Sequence, residues 1–335
     1  MDARTRFQRL MRFESVDRLP VVEWATWWDL TLDRWRGEGL PADLTDQGDI
    51  RAYFGLDPVR QMWVGTRKAS YPQPPAYGQG VLSTMDDYEK LRDLLYPEPE
   101  EAIDFDMLSE WAKQQAAGNM IVWITFEGFF DYPRSQFGIE KHFYAFIEQP
   151  ETMAAMNADL AEHMVSMLDA LCDVCTPDFM TFAEDMSYNN GPMISRDLFD
   201  RFMAPYYRQV VPELRKRGII PFIDSDGDIE QLIPWFLDVG IDGFLPLERQ
   251  AGCDIVAYRE QYPQTRFIGA FNKLVMHQGE GAMRAEFERL LPAMKEGGYI
   301  PSVDHQTPPA VSMADYRLYL ELLREYCAKA VKEKD

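Results

Sequence analysis

The sequence predicts a single (β/α)8 TIM barrel, on three observations. Eight candidate strands lie near residues 20, 60, 121, 179, 220, 242, 266 and 299, and most intervals between them carry a helical spacing of apolar residues. The length of 335 residues fits one large α/β barrel or two ordinary domains. No strand runs into a G-x-G-x-x-G or phosphate-loop motif, which removes the main argument for a doubly wound sheet. The expected organisation is one unit over residues 1–335, with an N-terminal helix and irregular insertions at about 40–110.

Along the chain, residues 3–14 space Phe7, Leu10, Met11 and Phe13 as a helix, and V-D-R-L-P leads into a short strand at Leu19–Trp24. Trp24, Trp27, Trp28 and Trp35 then fall within twelve residues. They fit either a helix packed on the core or the roof of a pocket for a flat or apolar ligand. Residues 40–110 are rich in Pro, Gly and Asp, with one strand-like run at Val59–Val64. Asn119–Phe126 is a buried strand followed by Glu127 and Gly128. Helices follow at 138–149 and from 150 to about 175, the second with Met153, Met156, Leu160, Met164 and Leu168 on one face. Asp178–Ala183 is a strand ending in Glu184 and Asp185. Ser195 caps a helix running to Arg217, with Asp197 in its first turn and Gly218 closing it.

The central stretch is Ile219–Glu230. An apolar strand runs into Asp224, Asp226 and Asp228, with Gly227 in the turn, and a helical spacing follows at once from Ile229. Three carboxylates at the end of a buried strand repel one another and call for a compensating ion, proton or cationic partner. The last strands are Ile241–Leu247 ending in Glu248, Arg266–Ala270 ending in Asn272 and Lys273, and Tyr299–Val303 ending in Asp304 and His305. Ser312 caps a final helix to Lys332.

In a barrel these strand ends surround one mouth. The ring would hold Glu127, Glu184, Asp185, Asp224, Asp226, Asp228, Glu248, Asn272, Lys273, Asp304 and His305. Such a ring can bind a divalent cation, run acid–base chemistry, or hold a cationic or polyhydroxylated ligand. D-S-D-G-D-I-E is not a calcium loop, because its glycine stands fourth and no glutamate follows at the required distance. Cys172-x-x-Cys175 lies in a helical stretch with no second pair, and His142, His163 and His277 lie in or beside helices; packing is the simpler role for all of them.

Composition narrows the classes. A net charge of −21, from 55 acidic and 34 basic residues, opposes nucleic acid and anionic membrane surfaces. Four cysteines are too few for a disulfide framework. No segment reaches the ~18 consecutive apolar residues of a membrane span. The N-terminus lacks the apolar core of a signal peptide, so the expected location is cytoplasmic.

Five stretches carry a resemblance: F-A-E-D-M-S-Y-N-N-G-P-M-I-S (182–195), F-x-x-P-Y-Y ending at Tyr207, F-I-D-S-D-G-D-I-E-Q-L-I-P (222–234), G-I-D-G-F-L-P-L-E-R-Q-A-G-C-D (240–254) and G-G-Y-I-P-S-V-D-H-Q-T-P-P (297–309). Together with the opening helix and V-D-R-L-P, the chain resembles the uroporphyrinogen decarboxylase superfamily, and more closely its corrinoid-dependent methyltransferase branch. The resemblance implies a (β/α)8 barrel. True decarboxylases open with an arginine-rich R-Q-A-G-R segment that grips substrate carboxylates; here E-W-A-T-W-W-D-L stands in its place. Zinc-dependent methyltransferases carry H-x-C on the fifth strand and a later cysteine on the eighth. Here Asp224-Ser225-Asp226 aligns with H-x-C, and Asp304 and His305 replace the later cysteine. Thiol methylation is therefore not expected.

The resemblance instead implies a harder site of Glu184, Asp224, Asp226 and His305 for zinc or another divalent metal. Glu184, Asp226 and His305 are the expected catalytic residues. Trp24, Trp27, Glu127, Tyr188, Glu248, Asn272 and Lys273 are the expected substrate contacts. The implied activity is O- or N-demethylation of a small methoxylated or N-methylated donor, with the methyl group passed to a corrinoid on a partner protein. Superfamily relatives are often dimers, so a homodimer is also expected. A metal-free decarboxylase-like lyase and a catalytically silent ligand-binding barrel are the alternatives.

Overall fold

The apolar runs form the parallel sheet expected of them. In the computed structural model, which describes residues 1–332, nine short strands occur: β1 (Val59–Trp63), β2 (Ile121–Glu127), β3 (Phe179–Ala183), β4 (Ser187–Tyr188), β5 (Gly191–Pro192), β6 (Ile220–Asp224), β7 (Gly243–Leu245), β8 (Arg266–Phe271) and β9 (Tyr299–Val303). Seven of them pair in parallel in the order β1-β2-β3-β6-β7-β8-β9, while β4 and β5 form a small antiparallel hairpin. Registers such as Ala183↔Asp224 and Asp224↔Leu245 align the carboxyl ends of neighbouring strands. Helices pack outside the sheet, the longest being Pro150–Val174. Its face of Met153, Met156, Leu160, Met164 and Leu168 is fully buried, as its spacing predicts.

The sheet is curled. Side chains from β1, from the end of β6 and from the turn after β9 line one cavity. The eighth strand expected at Leu19–Trp24 does not form. Pro20 has no N–H to give a ladder. The segment's polar groups are met singly instead: the Leu19 amide donates to Cys327 O, the Asp57 amide to Val21 O, and the Trp24 amide to Ser302 Oγ. An isolated parallel bridge between Trp27 and Thr307 completes the tie to the chain beyond β9. An irregular segment thus lies beside β9 where a strand was expected.

Three further expectations change. The helix expected from Ser195 to Arg217 is two helices, Arg196–Phe202 and Ala204–Lys216, because Pro205 cannot continue the first. The helix after β6 begins at Leu232, not at Ile229. Residues 40–110 are less irregular than their composition suggests. They hold short helices at Gln47–Tyr53, Met85–Leu91 and Pro99–Ala102, and a longer one begins at Phe105. Asp46, Thr84 and Asp104 cap three of these with their side chains. No helix among the described residues is long and apolar enough to cross a membrane.

Candidate active site

The turn after β6 is the scaffold of the site. Gly227 adopts φ +84°, and a Cβ there would stand 2.7 Å from the carbonyl oxygen of Ser187. Only glycine lets the turn fold so closely against the β4–β5 hairpin. The turn is pinned by Asp228 N–H donating to Tyr188 O (2.8 Å), Ser225 N–H to Leu245 O (3.1 Å) and Gly227 N–H to the Glu248 carboxylate (3.0 Å). Asp226 N–H donates to the Asp185 side chain (3.2 Å), and Asp185 itself sits at φ +40°. Backbone strain of this kind collects where a side chain must be aimed.

This packing brings Asp226, Glu248 and His305 together. One ligand atom from each lies within 4.8 Å of the others, and each residue is half-buried. His305 Nε2 stands 3.4 Å from Asp226 Oδ2. That contact raises the His305 pKa, and burial together with the Asp226 charge raises that of Glu248. Two hard oxygen donors and one imidazole fit zinc or a similar divalent ion. Behind them Lys273 Nζ lies 4.0 Å from Glu248 and 3.5 Å from the buried Asp304. Asp304 accepts from the amides of Arg249 and Lys273, each at 3.1 Å, and so ties the loops after β7 and β8 to the end of β9.

A cavity of about 380 Å³ opens beside this group. Asp185, Asp224 and Asp226 line one part of it, and Trp24, Trp63 and Trp123 another. Trp24 is fixed by its indole N–H to Val303 O (2.6 Å), with its ring edge-on to His305 at a centroid distance of 6.4 Å. Trp123 donates to Thr181 Oγ1 (2.8 Å), which pairs with Thr125, which in turn accepts from Gln61. Asp224 is half-buried, and burial with Asp185 and Asp226 nearby holds its pKa well above the usual carboxylate range.

The remaining predicted residues lie elsewhere. Glu184 is fully buried, and its carboxylate turns away from the mouth to accept from the amides of Phe129, Phe130 and Asp131 and from the Tyr207 hydroxyl. It caps the helix Asp131–Phe137 and does not join the metal-capable group. Burial pushes its pKa to about 8. Glu127 is held bidentately by Arg67 at 2.7 Å and accepts from Thr66. Trp27 is a core residue packed on Trp35, Phe54 and Tyr316. Tyr188 is exposed on the hairpin, and Asn272 caps the turn Lys273–Gln278. His142 is a buried packing residue among Phe130, Phe143 and Phe146, with a pKa near 3 through burial, and all four cysteines are free thiols.

The sequence reading did not single out Trp63, Trp123 or Glu23. The first two stand in runs whose burial does not alternate, so no period-two signal marked them. Glu23, 1% exposed, accepts from Ser302 Oγ (2.6 Å) and Tyr316 O–H (3.3 Å). An acid inside the apolar run V-V-E-W was its only signal.

The family model described as uroporphyrinogen decarboxylase (URO-D) matches residues 79–326. No curated protein matches the sequence. Among solved structures, a methyltransferase from Methanosarcina mazei superposes with a TM-score of 0.64 over 97% of this chain and 98% of that one, at 12% identity. An endo-1,4-β-mannanase from Rhizomucor miehei gives 0.49 over 92% and 95%, at 9% identity. At such identities the first likeness speaks for the fold alone, and the second is too loose to argue from.

Proposed function

The chain belongs to the uroporphyrinogen decarboxylase family, and from that premise we propose that it is a methyltransferase. It takes a methyl group from a small methoxylated or N-methylated compound and passes it to a corrinoid carried by a partner protein. The observation that carries this reading is the convergence of Asp226, Glu248 and His305 beside a tryptophan-walled cavity. A polycarboxylate substrate, by contrast, would need cationic anchors, and neither Lys nor Arg is among the cavity's lining residues.

Asp226, Glu248 and His305 would hold a divalent ion, zinc being the best match to the donors. Bound there, the ion supplies Lewis acidity that stabilises the electron pair left on the departing oxygen or nitrogen. Lys273 holds Glu248 and Asp304 in place, Trp24 orients the His305 ring, and the three indoles exclude water from the methyl-bearing part of the substrate.

The test joins metal content to turnover. The full chain, purified without chelator and incubated with zinc, should bind about one ion. It should convert reduced cobalamin, supplied in place of the partner, to the methylated form when a methyl donor is added, as followed by absorbance. Asp226→Asn should lose both the ion and the transfer. Absence of metal after incubation, or demethylation that proceeds without any corrinoid, would overturn the proposal; the latter would favour a decarboxylase-like lyase.

A further inference from the structure

The polar groups that face the cavity, taken with its indole walls, single out one kind of methyl ether, an inference that rests on the methyl-transfer reading above. Gln61 gives one amide N–H to Thr125 Oγ1 (2.8 Å), and Gln306 gives one to Thr26 Oγ1 (2.7 Å). Among the described residues, the carbonyl oxygens of both amides accept no hydrogen bond, and the Thr26 hydroxyl donates none. Asp185 accepts the Asp226 amide on one oxygen (3.2 Å), and the Asp224 side chain receives no hydrogen bond from a described residue. Thr26, Gln61, Asp185, Asp224 and Gln306 all line the cavity.

The open groups are therefore of both kinds. Amide oxygens and carboxyls accept, while the second N–H of each amide and the Thr26 hydroxyl donate. A carboxyl accepts from a hydroxyl whether or not it is ionised, so the pattern is the same at either charge of Asp185 and Asp224. A ligand hydroxyl donates once and accepts twice, which matches such a wall. Other donors match it poorly. A quaternary ammonium has no N–H or O–H, and a simple aromatic ether offers acceptors only; either would strip water from wall groups and leave them unpaired. Trp24, Trp63 and Trp123 supply indole surface, whose negative ring faces suit the C–H edges of a saturated ring. A second cavity of about 430 Å³ shares Thr26 and Gln306 with the first and carries the same mixture outward. Asp29 and Gln47 line it, the Gln47 carbonyl oxygen is buried without a partner among the described residues, and Trp28 stands 44% exposed beside them.

We infer that the methyl donor is a neutral O-methylated sugar or cyclic polyol, its ring against the tryptophans and its free hydroxyls paired with Gln61, Gln306, Thr26 and the carboxyls. In the transfer, the C–O bond of the methyl ether breaks with its electron pair kept by oxygen, which takes a proton from solvent and becomes a hydroxyl. The methyl carbon bonds to the corrinoid's cobalt, formally Co(I) before and Co(III) after. The product is the same polyol with one more free hydroxyl.

The full chain is titrated with pinitol, a cyclic polyol carrying one methyl ether, and with the mono-O-methyl ethers of glucose, read by calorimetry and tryptophan fluorescence. The comparison ligands are methoxycyclohexane, which keeps the ring and the ether without hydroxyls, methoxybenzene and tetramethylammonium. At least one polyol ether should bind at least about tenfold more tightly than each of these three. Gln61→Leu and Gln306→Leu should each weaken that polyol ether about tenfold and leave methoxycyclohexane within about twofold. Trp63→Ala, at a side chain already 55% exposed, should weaken it about fivefold. Equal or tighter binding of methoxycyclohexane, unchanged polyol affinity in both glutamine variants, or no polyol ether bound would each overturn the inference. If methoxybenzene yields methylated cobalamin while no polyol ether binds, the methyl-transfer reading stands and the sugar assignment falls. If a polyol ether binds with the stated selectivity and no donor yields methylated cobalamin, the sugar site stands and the methyl-transfer reading falls.

Discussion

Replacing Glu23 by glutamine tests the electrostatics of the irregular segment beside the cavity. Its carboxyl is almost wholly removed from water, and burial raises its pKa from 4.5 to about 7, against the pull of the Ser302 hydroxyl and the Arg51 charge. The folded chain therefore holds this proton more tightly than the unfolded chain. The stability it allows is full below about pH 4.5, erodes as pH rises, and the loss is complete once pH passes about 7. Taking 7 against 4.5 at 1.36 kcal/mol per pH unit, ionising the buried group costs about 3 kcal/mol. Glu23→Gln keeps the shape and an acceptor oxygen but cannot ionise. Urea unfolding of both proteins at pH 5 and pH 8 isolates the effect, since every other titrating group is shared. Wild type should lose about 2.5 kcal/mol more than the variant between the two conditions. Parallel losses would refute the reasoning and show that Glu23 titrates like a solvated carboxyl.

Three glycines give further tests. Gly128→Ala places a Cβ 2.1 Å from Glu184 Cδ, on a side chain already fixed by three amides and Tyr207, so thermal melts should show a loss of about 3 kcal/mol or insoluble protein. Gly37→Ala meets nothing within 4 Å and should stay within about 0.5 kcal/mol of wild type. Gly227→Ala strains the turn that carries Asp226, so zinc affinity by calorimetry should fall about tenfold or more while the chain stays folded.

Much of the scaffold was legible because a strand buried on both faces leaves a continuous apolar run, as in Ile121–Phe126 and Ile220–Ile223. Asp226 and His305 were legible as polar residues just past such runs. Spacing along the chain does not say which way a side chain turns. Ala183, not Glu184, is level with Asp224 in the sheet, and the Glu184 carboxylate just past it turns to three amides one strand away. Glu248, read as a substrate contact, comes close to Asp226 and His305 because Gly227 N–H holds its carboxylate. The absent eighth strand follows from a local fact, the missing donor at Pro20, together with a distant one, the side chains of Asp57 and Ser302 that supply partners in place of a ladder.

That substitution makes the first part of the chain a separable lip. A strand locked into a ladder has its register dictated by its neighbours, and a change of one residue turns every side chain to the other face. Residues 19–27 are instead fastened by single ties, through side chains from Trp24 to Val303 and from Glu23 to Ser302, and through the backbone at Leu19, Val21 and Trp27. Insertions or exchanges between those anchor points could reshape one wall of the cavity without shifting the pairing of the seven strands. On this fold, ligand preference and sheet architecture can change independently of each other.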